Sequence, residues 1–229
     1  MDDCYRLIYR LLTPIVLGAY PITLDALVYA ALFARSGDES RAQGELREYF
    51  AFSADVPHAS ALAFGRTRSH SVIARGVPVI GGLRSAADFD PAFIAPFGRG
   101  GGYAKVKTGG GPYKFRSDLL RGYWAPLVSF DFRGDRERIA ALLDLFLIGI
   151  GARAQIGSGQ VVDPQYLALA HDSSLLDGGA PARPLPLALY TALSGVAPAE
   201  TMAGRASPPY WRGGEQLLVA PERLRIINH

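Results

Sequence analysis

An α+β fold of the ferredoxin-like (RRM-like) kind is predicted, with a basic, glycine-rich thumb insertion and an irregular C-terminal extension. Three observations lead there. Strand-like and helix-like patterns follow one another as β-α-β-insertion-β-α-loop-β up to residue 168. A glycine-rich run, Ile-Gly-Ile-Gly-Ala-Arg-Ala-Gln-Ile-Gly-Ser-Gly-Gln at 148–160, joins the second helical pattern to the last strand. From Asp172 onward the chain turns rich in Pro, Gly and Ala and loses its periodicity.

Residues 5–12 read as the first strand, interrupted by Thr13-Pro14 and extended by Val16-Leu17. Tyr20-Pro21 marks a turn, Thr23 is a plausible N-cap, and Leu24, Leu27, Val28, Ala31 and Leu32 form one helix face. Asp25 would cap that helix near its first turn or touch a neighbouring subunit, and the first reading is favoured. Residues 38–50 are charged and suit a second, exposed helix. Strands are expected at 57–64 and 71–80, and at 127–132, where the alternation is clean. Ile139, Leu142, Leu143, Phe146 and Leu147 recur at helical spacing, with Asp135 and Glu137 at the N-terminal end. That pattern predicts a helix over 135–148, then the glycine loop, then a strand at 160–168. Beyond 172, residues 185–193 read as a strand or short helix, and 217–219 and 224–227 as late strands. The organisation is therefore a domain at 1–168 that carries a basic, glycine-rich insertion, and an extension at 169–229 packing on it.

Of the 229 residues 49% are hydrophobic, enough for a proper core. A single cysteine, Cys4, excludes a disulfide framework and a cysteine-rich zinc site. The longest apolar stretches, 24–34 and 139–151, are too short to span a bilayer and each carries an aspartate. With no signal peptide visible, a cytoplasmic protein without metal or organic cofactor is expected.

The net charge of +3 conceals an asymmetry. Between 66 and 121 ten basic residues face three acids, a local balance of +7 that leaves −4 for the rest. Within 97–124 rings and cations alternate: Phe97, Arg99, Tyr103, Lys105, Lys107, Tyr113, Lys114, Phe115, Arg116, Arg121, Tyr123, Trp124. Cations that track phosphates and rings that stack on bases are how single strands are gripped. The other reading is a solvated loop, with Phe115, Tyr123 and Trp124 in the core. A second basic cluster, Arg66-Thr67-Arg68-Ser69-His70, suits phosphate contact or a plain exposed turn.

The glycine loop has two readings as well. Gly149, Gly151, Gly157 and Gly159 would let the backbone approach a phosphate that Arg153 grips, or would simply cap a helix and turn the chain. No lysine lies in the run, so it is no P-loop. Gly149-Ile150-Gly151-Ala152-Arg153-Ala154 fits a loose dinucleotide pattern, but it ends a helix where that motif opens one.

The loop at 149–159, Thr13-Pro14-Ile15-Val16-Leu17 and Ile22-Thr23-Leu24-Asp25-Ala26-Leu27 resemble the RAMP superfamily of CRISPR-associated proteins. The start of the first helix and Pro208-Pro209-Tyr210-Trp211 look like its small subunit of type IV effector complexes. The resemblance implies a non-catalytic subunit that caps the 5′ repeat-derived handle of the crRNA and contacts the adjacent backbone subunit. It implies that an inserted thumb at 84–122 grips the handle, and the cation and ring pattern read above gives RNA contacts from Arg66, Arg68, His70, Arg99, Tyr103, Lys105, Lys107, Tyr113, Lys114, Arg116 and Arg121. The loop residues Gly149, Gly151, Arg153, Gly157 and Gly159 would add theirs. Two alternatives stand beside it. One is a metal-independent crRNA-processing ribonuclease that uses His70 with Tyr103 or Lys105. The other is a protein-only interaction module.

Overall fold

The computed structural model describes residues 3–81, 116–212 and 214–228. The chain divides into two compact units, Met1–Arg75 with Gly122–His229, and Gly76–Arg121. In the first unit, chain order gives β1 (Cys4–Leu11), β2 (Ile15–Val16), α1 (Leu24–Ser36), α2 (Glu39–Glu45), β3 (Phe52–Ser53), β4 (Val56–Pro57) and β5 (Ala63–Arg66). Strands β6 (Ile73–Gly81) and β7 (Arg116–Trp124) each have residues in both units, and β8 (Leu127–Arg133), α3 (Arg136–Phe146) and β9 (Val161–Ala168) follow.

The main sheet has the order β5-β8-β1-β9, antiparallel at every one of these pairings. By sequence rank that is second, third, first, fourth: the split βαβ arrangement the element order predicts. Leu7 opposes Phe130 and Tyr166, and Tyr9 opposes Val128, so alternate side chains of three strands share one face. Leu24, Val28 and Leu32 of α1 and Ile139, Leu142 and Leu143 of α3 join them in a single core.

Local chemistry fixes the helix ends. Asp38 and Asp135 accept from the amides of Arg41 and Arg138 at 2.9 and 3.0 Å and cap α2 and α3. Gly37 at φ 67° closes α1 by donating to Phe33. Thr23 occupies the N-cap position without a side-chain cap; its hydroxyl lies 3.1 Å from the Tyr210 hydroxyl instead.

Three sequence expectations change. Asp25 lies in the first turn of α1 but does not cap it; it is fully buried and accepts from the Tyr210 hydroxyl at 2.6 Å and from Arg183 at 3.3 Å. The strand expected over 57–64 shrinks to Val56–Pro57 and Ala63–Arg66, because other partners claim the backbone between. Arg183 donates to Pro57 O and Ala59 O, Arg225 donates to Ala61 O, and the Ala61 amide donates to Ala182 O. Val16 leaves β1 altogether, and β2 pairs with β7 through Ile15–Tyr123 and Val16–Gly122.

The C-terminal extension carries only short elements: β10 (Leu176–Asp177), β11 (Ala180–Pro181), β12 (Leu185–Pro186), α4 (Leu187–Ser194), β13 (Thr201–Gly204), β14 (Gln216–Val219) and β15 (Arg225–Asn228). Strands β12, β14 and β13 form a small sheet whose Leu185 and Leu218 pack with Val56, Leu175 and Tyr190 in a second core. Strand β15 pairs parallel to β5 and widens the main sheet to five strands. No helix among the described residues is long and apolar enough to cross a membrane.

The ties to the extension set two stability expectations. Replacing Asp25 by Ala leaves the Arg183 guanidinium buried without a counter-charge, which costs about 3–5 kcal/mol. The urea midpoint of Asp25→Ala should fall accordingly, and Asp25→Leu/Arg183→Met together should cost less than either alone. A loss below about 1 kcal/mol in Asp25→Ala would remove the pair's structural role. Asp172 provides the pH signature. Burial pushes its carboxyl up, but hydrogen bonds from His58 and from the Ser174 hydroxyl and amide outweigh that and hold it at about 2. A carboxyl depressed on folding stabilises fully above its unfolded value near 3.8 and loses that contribution as pH falls through about 2. Unfolding free energy should drop by about 2 kcal/mol across that window, and Asp172→Asn should flatten that part of the curve.

Candidate nucleic-acid interface

At one end of the main sheet lie the C-terminal ends of β1 and β5 and the N-terminal ends of β8 and β9. Gly65 opposes Leu127, Arg10 opposes Leu127, and Leu11 opposes Val161. This rim gathers three parts of the chain: the turn after β5 with the base of β6 that follows it directly, the base of β7, and the glycine loop.

The turn after β5 is short and self-contained. The Thr67 amide donates to His70 O at 2.9 Å, and the His70 amide reaches Thr67 Oγ1 at 3.2 Å. Arg66, Arg68 and His70 are all exposed on it. Arg66 donates from Nε to the neutral Asn228 Oδ1 at 2.5 Å, so its charge is not cancelled there. Arg75 on β6 is also exposed. Arg68, Arg75 and Arg153 form no ion pair among the described residues.

The glycine loop closes on the protein itself. Ala152 N donates to Val16 O, Gly159 N to Pro14 O and Ile150 N to Gly159 O, at 2.9, 2.9 and 2.8 Å. Thr13 Oγ1 donates to Gly157 O at 2.7 Å and accepts from Gln160 N at 2.9 Å. A side chain at Gly151 would stand 2.8 Å from Val16 O, and one at Gly159 only 1.9 Å from Ile150 O. A side chain at Gly149 would stand 3.0 Å from Ser158 O, a looser contact than the other two. The close approaches that the sequence left open between ligand and turn are thus filled, at three of the four glycines, by residues 14–16 and by the loop's own backbone. Gly157, at φ 89°, faces open space, and Arg153 is exposed in the left-handed region at φ 67°. Arg153 and the open side of Gly157 are what this loop presents outward.

Of the other expected contacts, Arg99, Tyr103, Lys105, Lys107, Tyr113 and Lys114 lie outside the described residues, and Arg116 and Arg121 belong to β7. Tyr123 and Trp124 go to the core: the Tyr123 ring lies 6.3 Å from that of Phe64, and Trp124 Nε1 donates to Leu11 O at 3.3 Å.

The broad sheet face is not arranged for stacking bases. Tyr5, Tyr9, Phe130, Phe132 and Tyr166 all share the helix side, with Phe132 5.6 Å from Tyr5 and 6.4 Å from Tyr166 by ring centroids. The opposite face carries Arg6, Ile8, Ser129 and Asp131 instead. Ser129 and Asp131 there are 1% and 3% exposed. Arg6 is bidentate to Asp131 at 2.6 and 2.9 Å; that bond chiefly raises its pKa, with Asp177 of the extension adding to it. The exposed aromatics that an RRM-type sheet uses on single-stranded RNA are therefore missing from these strands, and the exposed cations are at the rim.

No family model matches the chain, and no curated protein matches it. Among solved structures, one chain of a cryo-EM structure of the Type III-B Cmr-beta bound to cognate target RNA is similar, with a TM-score of 0.33 and 13% sequence identity. The similarity covers 72% of this chain and 61% of that one, so the chain spans about three-fifths of that neighbour's length.

The loop geometry separates its two kinds of glycine. Gly159→Ala should cost about 3 kcal/mol or more, because a carbonyl must move to admit the methyl group. Gly157→Ala should cost about 1 kcal/mol, the backbone strain alone. Thermal unfolding of the two variants checks this; equal losses would mean that the Ile150 carbonyl does not press on Gly159.

Proposed function

We propose that this protein is a non-catalytic RNA-binding subunit of a CRISPR ribonucleoprotein of the RAMP superfamily. In the finer reading it belongs to a type IV complex, caps the 5′ repeat-derived handle of the crRNA and contacts the adjacent backbone subunit. The observation that carries the proposal is the convergence of Arg66, Arg68, His70, Arg75 and Arg153 on one rim of the sheet. Four of them lie within residues 66–75 and the fifth comes from the glycine loop, and the chain between Arg66 and Arg121 carries a local charge of +7.

Exposed arginines without acidic partners suit a polyanion, and guanidinium forks match phosphate oxygens two at a time. The ends of β5 and β9 stand roughly 14 Å apart, three strand spacings, so the rim meets several phosphates rather than one. With the sheet face lacking exposed rings, the rim supplies phosphate contacts and hence register. Stacking on bases falls to Tyr103 and Tyr113, and further phosphate contacts to Arg99, Lys105, Lys107, Lys114, Arg116 and Arg121. His70 lies among the rim cations on an exposed turn, where we assign it a phosphate contact rather than the role of a general base.

The test is binding of a labelled single-stranded RNA of repeat sequence across a salt series. Removing the cation that neutralises one phosphate should lower the slope of log K against log salt by about 0.7. Arg66→Ala/Arg68→Ala/Arg153→Ala should therefore lower it by about 2, and an unchanged slope would sink the rim assignment. In the same assay, cleavage that disappears in His70→Ala would favour the processing ribonuclease. Binding to partner proteins alone, insensitive to salt, would favour the interaction module.

A further inference from the structure

A second group of side chains sits at the other end of the sheet, and the RNA reading does not use it. Ser53 lies at the end of β3, one residue before Ala54, which is held at φ 53° in the hairpin turn to β4. Its Oγ is 2.8 Å from His58 Nε2. His58 Nδ1 is 2.5 Å from Asp172 Oδ2. The other carboxylate oxygen of Asp172 accepts from the Ser174 amide at 2.8 Å and from its hydroxyl at 2.5 Å. One hairpin, through Ser53 and His58 five residues apart, and the distant Asp172 thus deliver a hydroxyl, an imidazole and a carboxylate in line.

The protons can be placed from this geometry. Asp172 stays ionised and only accepts, so His58 carries its hydrogen on Nδ1. With that tautomer Nε2 is bare and accepts from the Ser53 hydroxyl. A serine–histidine–aspartate relay is defined by such roles and distances, not by fold or chain order. His58 is 8% exposed, shielded enough for its bond to Asp172 to persist, whereas Ser53 is half-buried beside two exposed turn residues. The amides of Ala54 and Asp55 donate to no protein group among the described residues. The amide that follows a nucleophile is where an oxyanion is commonly held. Cys4 does not compete as nucleophile, since burial and the Asp172 charge push its thiol up.

We propose that Ser53 is a base-activated nucleophile and that Ser53, His58 and Asp172 form an acyl-transfer site for small carboxylic esters. Ser53 Oγ bonds to the acyl carbon as its proton passes to His58 Nε2, and the carbonyl electron pair moves onto oxygen. Collapse breaks the bond to the alcohol oxygen, which leaves with the proton from Nε2. Water then attacks the acyl-serine, gives a proton to Nε2, and Ser53 Oγ departs and takes it back. The sum is ester and water to acid and alcohol, with no other reactant. Ser53 and His58 are the catalytic residues; Asp172 and Ser174 are positioning residues that act through His58.

The experiment treats the full chain with a fluorophosphonate probe, which loses fluoride to a nucleophilic serine, and locates the adduct by peptide mass spectrometry. A single adduct at Ser53 is expected, absent in Ser53→Ala. His58→Gln and Asp172→Asn should slow labelling by about 100-fold or more. The folded state is checked by circular dichroism, and p-nitrophenyl acetate turnover should fall in parallel. In Asp172→Asn the pH profile of labelling should also move, which a merely structural tie would not produce. Folded wild-type protein without an adduct at Ser53, or His58→Gln labelling as fast as wild type, would overturn the proposal. The wild-type measurement stands even if a variant does not fold.

Discussion

The fold turns on one buried cation. Arg183 is fully buried and donates to Pro57 O at 2.6 Å, Ala59 O at 2.9 Å and Ala206 O at 2.6 Å, while also meeting Asp25 and the Tyr210 hydroxyl. A guanidinium is tolerated in a core only when its charge is hydrogen-bonded, and here four oxygens outside the charge pair meet its two terminal nitrogens. The consequences spread outward. With the carbonyls of 57 and 59 turned toward Arg183, that stretch cannot run as a strand, and β5 starts only at Ala63. The Ala61 carbonyl is claimed by Arg225 at 2.8 Å, which in turn brings β15 alongside β5. The first helix is held by the same knot, because Asp25 lies in its first turn. Burial, and then the nearby Asp25 charge, raise the Tyr210 phenol, so it remains a proton donor to Asp25.

This knot also explains what could and could not be read from the sequence. Strands β1, β8 and β9 and helices α1 and α3 follow local periodicity, and their apolar faces are visible in windows of a dozen residues. The glycine at 37 and the aspartates at 38 and 135 act on their own neighbours, so the ends they set are legible too. The interruption of 57–62 is not, since the groups that cause it stand at 182, 183 and 225. Asp25 fails for the same reason: an aspartate in a first turn fits the helix dipole, and only Arg183 and Tyr210 show that it faces inward.

The glycine loop is a different kind of case. Its sequence states that something comes close to the backbone, and Gly151 and Gly159 bear that out. It does not state what comes close. The loop's own Ile150 carbonyl is the answer at Gly159, and residues 15–16 at Gly151, carried there because Thr13-Pro14 breaks β1 and turns the chain across the rim. Arg153 remains outward, in a left-handed conformation that costs about 1–2 kcal/mol for a residue with a side chain. The surrounding hydrogen bonds at Ile156 N and Ser158 N, both to Arg153 O, hold it there. The Ser53–His58–Asp172 relay was illegible for the usual reason: its members are single residues of common types with no shared spacing.

The two sites occupy opposite ends of the same strands. Arg133 closes β8 beside Ala51 and His58: its carbonyl accepts from Ala51 N at 2.9 Å and its amide donates to His58 O at 3.0 Å, whereas Leu127 opens β8 at the rim. Seven residues of extended chain place the two ends about 20 Å apart. At that separation, with no shared partner, substitutions at one end add to those at the other rather than couple. The proposed phosphate contacts of the rim and the proposed relay at Ser53 therefore stand or fall separately. The rigid sheet between them is what allows a single small domain to carry both a charged surface that needs exposure and a relay that needs shelter.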